Sequence, residues 1–221
     1  MERKIIITED GSSSIYLPEW DEHYHSKHGA VQEAYHVFIK HGLDLFENGS
    51  DVHILEIGFG TGLNSFITFL ESQKRMLKIN YDGVEAYPVA AEEIIHLNYV
   101  SRLKAEKVSD IFSKIHAVDW EKRQDIETHF SLKKRQQFFH EIEDKNQFNL
   151  IYFDAFGARV QPELWTEEIF KIMYESLKSD GILVTYSAKG SVRRALQSVG
   201  FLVEKLPGPP GKREMLRGTK H

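Results

Sequence analysis

The chain has 221 residues, 41% hydrophobic and 28% charged, which excludes general disorder and suits one domain or one domain with an appendage. Cysteine is absent, excluding disulfides, thiolate nucleophiles and Cys-based zinc or iron–sulfur sites. The net charge of −5 argues against generic coating of nucleic acid, yet eight bases against two acids from 187 to 221 leave −11 on the first 186 residues, so local anion contact near the C-terminus is compatible with the composition.

Lys4 to Leu17, a β-branched run turning at Asp10-Gly11, predicts a hairpin. A His-rich stretch from Pro18 to Gly29 precedes helical spacing of Val31, Ala34, Tyr35, Phe38 and Ile39, which stops near Gly42. Val52 to Ile57 is a buried-type strand, Leu63 to Leu70 a helix, Leu77 to Val84 a strand, and Val89 to Leu97 a helix behind Pro88. Phe148 to Phe153 is a strand, Thr166 to Leu177 a helix and Gly181 to Tyr186 a strand, while Asp110 to Gln147 follows no clear pattern. Phe201 to Leu206 and Glu214 to Leu216 flank Pro207 to Gly211 and predict an antiparallel edge hairpin.

Alternating strands and helices imply crossovers and a parallel sheet covered on both faces. With the C-terminal hairpin, the expected fold is α/β: the Rossmann-like, mostly parallel sheet of class I S-adenosylmethionine (SAM)-dependent methyltransferases, plus an N-terminal β-hairpin extension. The expected organisation is an extension over 1–45 packed on a main domain over 46–221. No apolar run approaches the ~20 residues of a membrane span and no signal peptide is recognisable at the start, so a soluble, cytoplasmic protein without membrane contact is expected.

Glu56-Ile57-Gly58-Phe59-Gly60-Thr61-Gly62-Leu63-Asn64 joins a strand to a helix, where glycines permit sharp turning and close ligand approach. A dinucleotide fingerprint would place a third glycine at Leu63, and an acid inside the loop suits the cationic amino-acid end of SAM better than a pyrophosphate. Glu85, followed by Ala86 at the end of the second strand, is an acceptor for both hydroxyls of a ribose. Asp154 follows the apolar strand Phe148 to Phe153, and in open parallel sheets ligands bind beyond the carboxyl ends of the strands; Phe156 and Trp165 offer flat walls nearby. Asp154 also reads as a helix cap, and Glu56 and Glu85 as ordinary strand-end acids.

Phe153 to Phe156, Pro162 to Thr166, Ser187 to Leu196 and Gly211 to Met215, together with Glu56 to Asn64, Tyr24 to Ser26 and Gln32 to Tyr35, resemble the methyltransferase domain of the MnmC family over nearly the whole chain. The resemblance implies SAM-dependent methylation of the 5-aminomethyl group of a tRNA wobble (thio)uridine, giving 5-methylaminomethyl-2-thiouridine. Gly58, Phe59, Gly60, Thr61, Gly62 and Asn64 would cradle SAM, Glu85 would hold its ribose, and Asp154 would face the amine. Many family members carry a second, FAD-dependent oxidase domain; this chain looks like the stand-alone form, with a separate oxidase or other tRNA-modification enzymes as possible partners. The family commonly has a Gly-Asp pair on the adenine side, where this chain has Gln136, Gln137 and Phe138; Asp119 is the alternative if Ile115 to Val118 forms the strand, and both stay open.

A carboxylate with an ordinary pKa near ~3.9 is a feeble base toward an ammonium, so Asp154 is expected to orient the amine and receive developing positive charge. A wobble base must leave its stack to react, with Tyr24, Phe156 and Trp165 as pocket candidates and Lys189, Arg193, Arg194, Lys212 and Arg213 as phosphate contacts. His23, His25 and His28 invite a metal reading, but no ligand set at familiar spacing completes them and amine methylation needs no metal; none is expected. An aminopropyltransferase or other small-amine transferase, a non-catalytic SAM- or RNA-binding subunit and an NAD-dependent oxidoreductase are the competing readings. A polyamine groove would want a second acid beside Asp154, where the chain has Ala155, Phe156 and Gly157.

Overall fold

A computed structural model describes residues 2–221. Strands β1 (Lys4–Ile7), β2 (Ser13–Leu17) and β3 (Glu22–His23) form a small antiparallel sheet, followed by α1 (Ala30–Ala34) and a π-helical turn over Tyr35–Lys40. The main sheet then begins with β4 (Asp51–Ile57), α2 (Leu63–Arg75) and β5 (Lys78–Val84). Short helices α3 (Ala91–Ile94) and α4 (Tyr99–Arg102) lead to α5 (Ser109–Ala117), and β6 (Arg123–Glu127) pairs antiparallel with β7 (Phe130–Arg135). The chain continues through β8 (Phe148–Phe153), α6 (Glu167–Ser176), β9 (Leu177–Thr185), α7 (Gly190–Ser198), β10 (Leu202–Pro207) and β11 (Glu214–Thr219).

The eight-stranded sheet has the order β10-β11-β9-β8-β4-β5-β7-β6. Neighbours from β9 through β7 run parallel, while β11 inserts antiparallel between β9 and β10. After β4 the chain builds outward through β5 and β7, then returns to place β8 on the other flank of β4. The crevice where strand order reverses therefore lies between the carboxyl ends of β4 and β8, the ligand position of open α/β sheets.

The central parallel strands β4 and β8 are largely apolar on both faces because helices cover both. Ile54, Tyr81, Leu150 and Tyr152 share one core with Phe66 and Ile67 of α2 and Ile115 of α5. Leu55, Ile57, Ile151 and Phe153 share the other with Phe170 and Met173 of α6 and Leu196 of α7. Val37 and Phe38 of the π-helical turn join the first core, fastening the N-terminal part to the main sheet.

Several boundaries depart from the sequence reading. The helix expected over Val89 to Leu97 is only α3, after which α4 begins at Tyr99. Ile115 to Val118 is not a strand: Ser109–Ala117 is helical and buries Ile111, Phe112 and Ile115. Asp119 lies exposed beyond that helix, paired with Lys122 at 2.8 Å, and does not line the cavity described below. The strand at this position is β7, and it delivers Phe138 to the cavity described below.

Candidate active site

The turn after β4 is shaped by backbone conformations that side chains resist. Gly58 has φ +90°, and an added Cβ would lie 2.7 Å from the Asp154 carbonyl oxygen. The amides of Gly58 and Phe59 both donate to the Val84 carbonyl at 3.0 Å, drawing the turn across the end of β5. Gly62, at φ +70°, precedes α2 and is packed beneath the His116 ring. The backbones after β4 and β8 can touch only because residue 58 has no side chain.

This turn forms one wall of a cavity of about 870 Å³. Glu85 to Tyr87 and Phe138 to His140 form the side above β5 and β7; Asp154 to Phe156, with Gln161, Glu163 and Leu164, form the side above β8. Arg3, Trp20, Tyr24 and His25 close it from the N-terminal part. Arg3 donates to the carbonyls of Tyr87 and Pro88 and pairs with Glu93 at 3.0 Å, joining β1 to the cavity rim.

Glu85 holds the turn as well as the rim. Its Oε2 accepts from the Gly60 amide at 3.1 Å and its Oε1 from the Tyr87 amide at 3.0 Å. An ionised carboxylate has about four acceptor sites, so both oxygens retain capacity for a ribose diol. Phe138 and Tyr87, 46% and 61% exposed, meet edge to face at 6.0 Å, an aromatic rim suited to a flat base.

Asp154 stands opposite. The Asn64 Nδ2 donates to Asp154 Oδ2 and to Glu56 Oε1, both at 2.9 Å. Burial raises the Asp154 carboxyl to about 7; the negative charge of Glu33 adds to this, while the Asn64 hydrogen bond and Lys212 oppose it. The premise that Asp154 has an ordinary carboxylate pKa is thereby corrected. Glu56 is fully buried, and that burial pushes its carboxyl well above the ordinary range despite the Asn64 hydrogen bond. It lies behind the turn rather than on the cavity wall, so the expectation that it meets the amino-acid end of SAM directly is corrected; it reaches the site only through Asn64.

The aromatic candidates divide. Tyr24 and Phe156 both line the cavity, edge to face at 4.9 Å, and burial pushes the Tyr24 phenol up to about 12. Trp165 is corrected to a core residue: the turn Pro162–Trp165 points it inward, and its Nε1 donates to the Phe156 carbonyl at 2.8 Å, supporting the wall from behind. His25, not singled out as a site residue in the sequence, faces the cavity; its Nε2 lies 3.4 Å from Thr61 Oγ1 and its Nδ1 3.0 Å from Ser14 Oγ. Burial lowers it to about 4, keeping the ring neutral. Among the described residues no cluster of His, Asp and Glu is arranged to hold a metal.

The basic candidates also divide. Lys189 and Arg194 at the start of α7 are exposed, Arg213 is exposed, and Arg193 is half-buried with its Nε unpartnered. Lys212 turns inward, pairing with the buried Glu33 at 2.5 Å and lying 3.9 Å above the Tyr186 ring. Its assignment to phosphate is corrected, because leaving Glu33 would strand a buried carboxylate.

SAM fits this donor set. The turn leaves the backbone at Gly58 and Gly60 open to a ligand, with a Cβ excluded outright at Gly58, Glu85 offers acceptors to a diol, and Phe138 and Tyr87 offer faces to an adenine. No helix among the described residues is long and apolar enough to cross a membrane.

Comparison with known proteins agrees with this geometry. Residues 97–221 match a family described as S-adenosyl-L-methionine-dependent methyltransferase. The chain is similar to the tRNA 5-methylaminomethyl-2-thiouridine biosynthesis bifunctional protein MnmC of Actinobacillus pleuropneumoniae, at 30% identity over 91% of the chain and 33% of that protein. The protein of that name from Leptospira interrogans is 31% identical over 91% of the chain and 33% of its own length. The chain thus spans about a third of the curated relatives it matches. Among solved structures, MNMC2 from Aquifex aeolicus superposes with TM-score 0.80 at 24% identity, covering 100% of this chain and 70% of that one. Spermidine synthase from Thermotoga maritima shares the fold at TM-score 0.54 and 15% identity, over 99% of this chain and 73% of that one.

Proposed function

The chain belongs to this family of S-adenosyl-L-methionine-dependent methyltransferases, and we propose that it methylates the 5-aminomethyl nitrogen of a tRNA wobble (2-thio)uridine, forming 5-methylaminomethyl-2-thiouridine. The observation that carries the reading is Asp154: a carboxyl raised to about 7, fixed on one oxygen by Asn64, at the wall of a cavity whose adjoining wall is the glycine turn. The names of the relatives supply the nucleoside. The second activity implied by "bifunctional" is not assigned to these residues.

When bound, SAM supplies an electrophilic methyl carbon. The protein's task is alignment, and holding two reactants in attacking geometry lowers a barrier by roughly 7–11 kcal/mol. The glycine turn and Glu85 would hold the cosubstrate from one side. Asp154, with Oδ2 on Asn64, presents its remaining acceptor capacity to the amine. A primary amine attacks only when neutral, and burial that raises a carboxyl also lowers an ammonium, bringing the two toward each other. Asp154 would take the ammonium proton at an oxygen, freeing the nitrogen lone pair, and orient the remaining N–H groups. Tyr24 and Phe156 would flank the extruded base and exclude water. Lys189, Arg194 and Arg213 present free charge for the tRNA backbone, and half-buried Arg193 stands beside them.

The test is mass spectrometry of wobble nucleosides from cells lacking this protein. The reading expects the unmethylated aminomethyl nucleoside to accumulate; an unchanged nucleoside profile would refute it.

A further inference from the structure

Behind the cavity wall lies a second carboxyl that the methyl transfer described above does not use. Glu56 shares the Asn64 amide with Asp154, each receiving one N–H at 2.9 Å. The Asn64 Oδ1, Glu56 Oε2 and Tyr81 hydroxyl are buried without a hydrogen-bond partner, and the Tyr81 hydroxyl adjoins the Glu56 carboxyl.

This arrangement fixes which end of the Asn64 amide meets Asp154. With Glu56 as acceptor, the amide must turn its NH₂ toward both acids; the reverse orientation would set Oδ1 against two carboxyl oxygens. Two ionised carboxylates on one small amide repel, and Glu56 has no contact with water to screen that repulsion, so the lower-energy arrangement keeps one of them protonated. Glu56 is the more deeply enclosed, at 0% exposure, whereas Asp154 lines the cavity, so the proton falls to Glu56. Asp154 then carries the variable charge of the pair.

We propose that Glu56 is a positioning residue for the methyl transfer: held neutral, it locks the Asn64 amide so that Asp154 is bound on one oxygen and turns the other to the substrate. The proposal rests on the methyl-transfer reading for its effect on turnover, but its structural content is independent of substrate. Gln at 56 reproduces the neutral acid, with its carbonyl accepting from Asn64. Ala at 56 removes the acceptor and frees the amide.

The test titrates Asp154 in the free protein by carbon-13 NMR of labelled aspartate, with Asp154→Asn identifying the resonance, in wild type, Glu56→Gln and Glu56→Ala. The expected midpoint in Glu56→Gln stays within about 0.3 pH units of wild type, and in Glu56→Ala it rises by about 0.5 to 1 unit as the oriented hydrogen bond to the charged form is lost. A fall of a unit or more in Glu56→Gln would show that Glu56 is ionised, and equal midpoints in all three proteins would show that it does not orient Asn64; either overturns the proposal. Turnover supplies the second arm: Glu56→Ala is expected to lose about 10- to 100-fold in kcat with SAM affinity within about threefold, and Glu56→Gln to regain most of it. A proportional loss of SAM affinity in Glu56→Ala would instead make Glu56 a ligand residue. Should no methyl reach tRNA in the wild type, the functional reading fails while the titration still decides this proposal.

Discussion

Replacing Asp154 by Asn keeps the shape and the hydrogen-bonding partner of the side chain but removes its charge and its capacity to take a proton. With a carboxyl at about 7, roughly a tenth of the wild-type protein is ionised at pH 6 and roughly nine tenths at pH 8, so single-turnover methyl transfer should rise about tenfold across that interval and level off. In Asp154→Asn the titration left at the reacting nitrogen is that of the amine, which burial lowers from the ordinary ~10 while leaving it above that of the carboxyl, so the rate should climb through neutrality without levelling near pH 8. Loss of a positioned acid–base group is worth about 10²- to 10⁴-fold, and because Asp154 faces the amine, SAM affinity should stay within about threefold. The assay is single-turnover transfer of labelled methyl to under-modified tRNA between pH 5.5 and 9, alongside calorimetric SAM binding. Equal losses in rate and SAM affinity, or a plateau near 7 that survives the substitution, would refute the assigned role.

The same carboxyl carries a stability signature. Its folded value exceeds the ordinary 3.8, so the folded state binds more protons between about 4 and 7 and loses stability as pH rises through that window; Asp154→Asn should be the more stable protein at pH 8, by about 4 kcal/mol at most, in chemical denaturation. His116, lowered to about 4 by burial, acts in the opposite sense: the unfolded state binds its proton first, stability falls from pH 6.5 toward 4, and His116→Phe should shift the acid-unfolding midpoint downward. Gly58→Ala should abolish SAM binding and cost about 1–3 kcal/mol in thermal unfolding, since φ +90° and a 2.7 Å approach to the Asp154 carbonyl oxygen oppose a methyl group. Lys189→Glu with Arg194→Glu should weaken tRNA binding and reduce its salt slope by about one per lost contact, whereas Lys212→Ala should leave the slope unchanged and lower thermal stability.

What the sequence made legible follows from how locally each feature is determined. The glycine turn, Glu85 and Asp154 occupy strand ends, and buried parallel strands such as Val52 to Ile57 and Phe148 to Phe153 announce themselves as apolar runs, so the crevice between them could be placed from chain order. The middle was opaque because its burial is tertiary. On β7, Lys134 and Arg135 are buried through partners elsewhere, Lys134 donating to the His116 carbonyl at 2.6 Å and Arg135 pairing with Asp144 at 2.6 Å, so the strand looks like a solvated segment. The polar strand β6 lies at the open edge and carries little periodicity. Charge sign alone could not separate Lys212 from Arg213: a contact with Glu33, far away in the chain, turns the first inward. Trp165 misled for a similar reason, being near Phe156 in sequence yet rotated behind it by a single turn.

The most direct measurement incubates the purified chain with methyl-labelled SAM and tRNA bearing the 5-aminomethyl wobble nucleoside, then digests the tRNA and locates the label. The account predicts label in 5-methylaminomethyl-2-thiouridine, dependent on Asp154. Label absent from tRNA, or carried by another nucleoside, would contradict it.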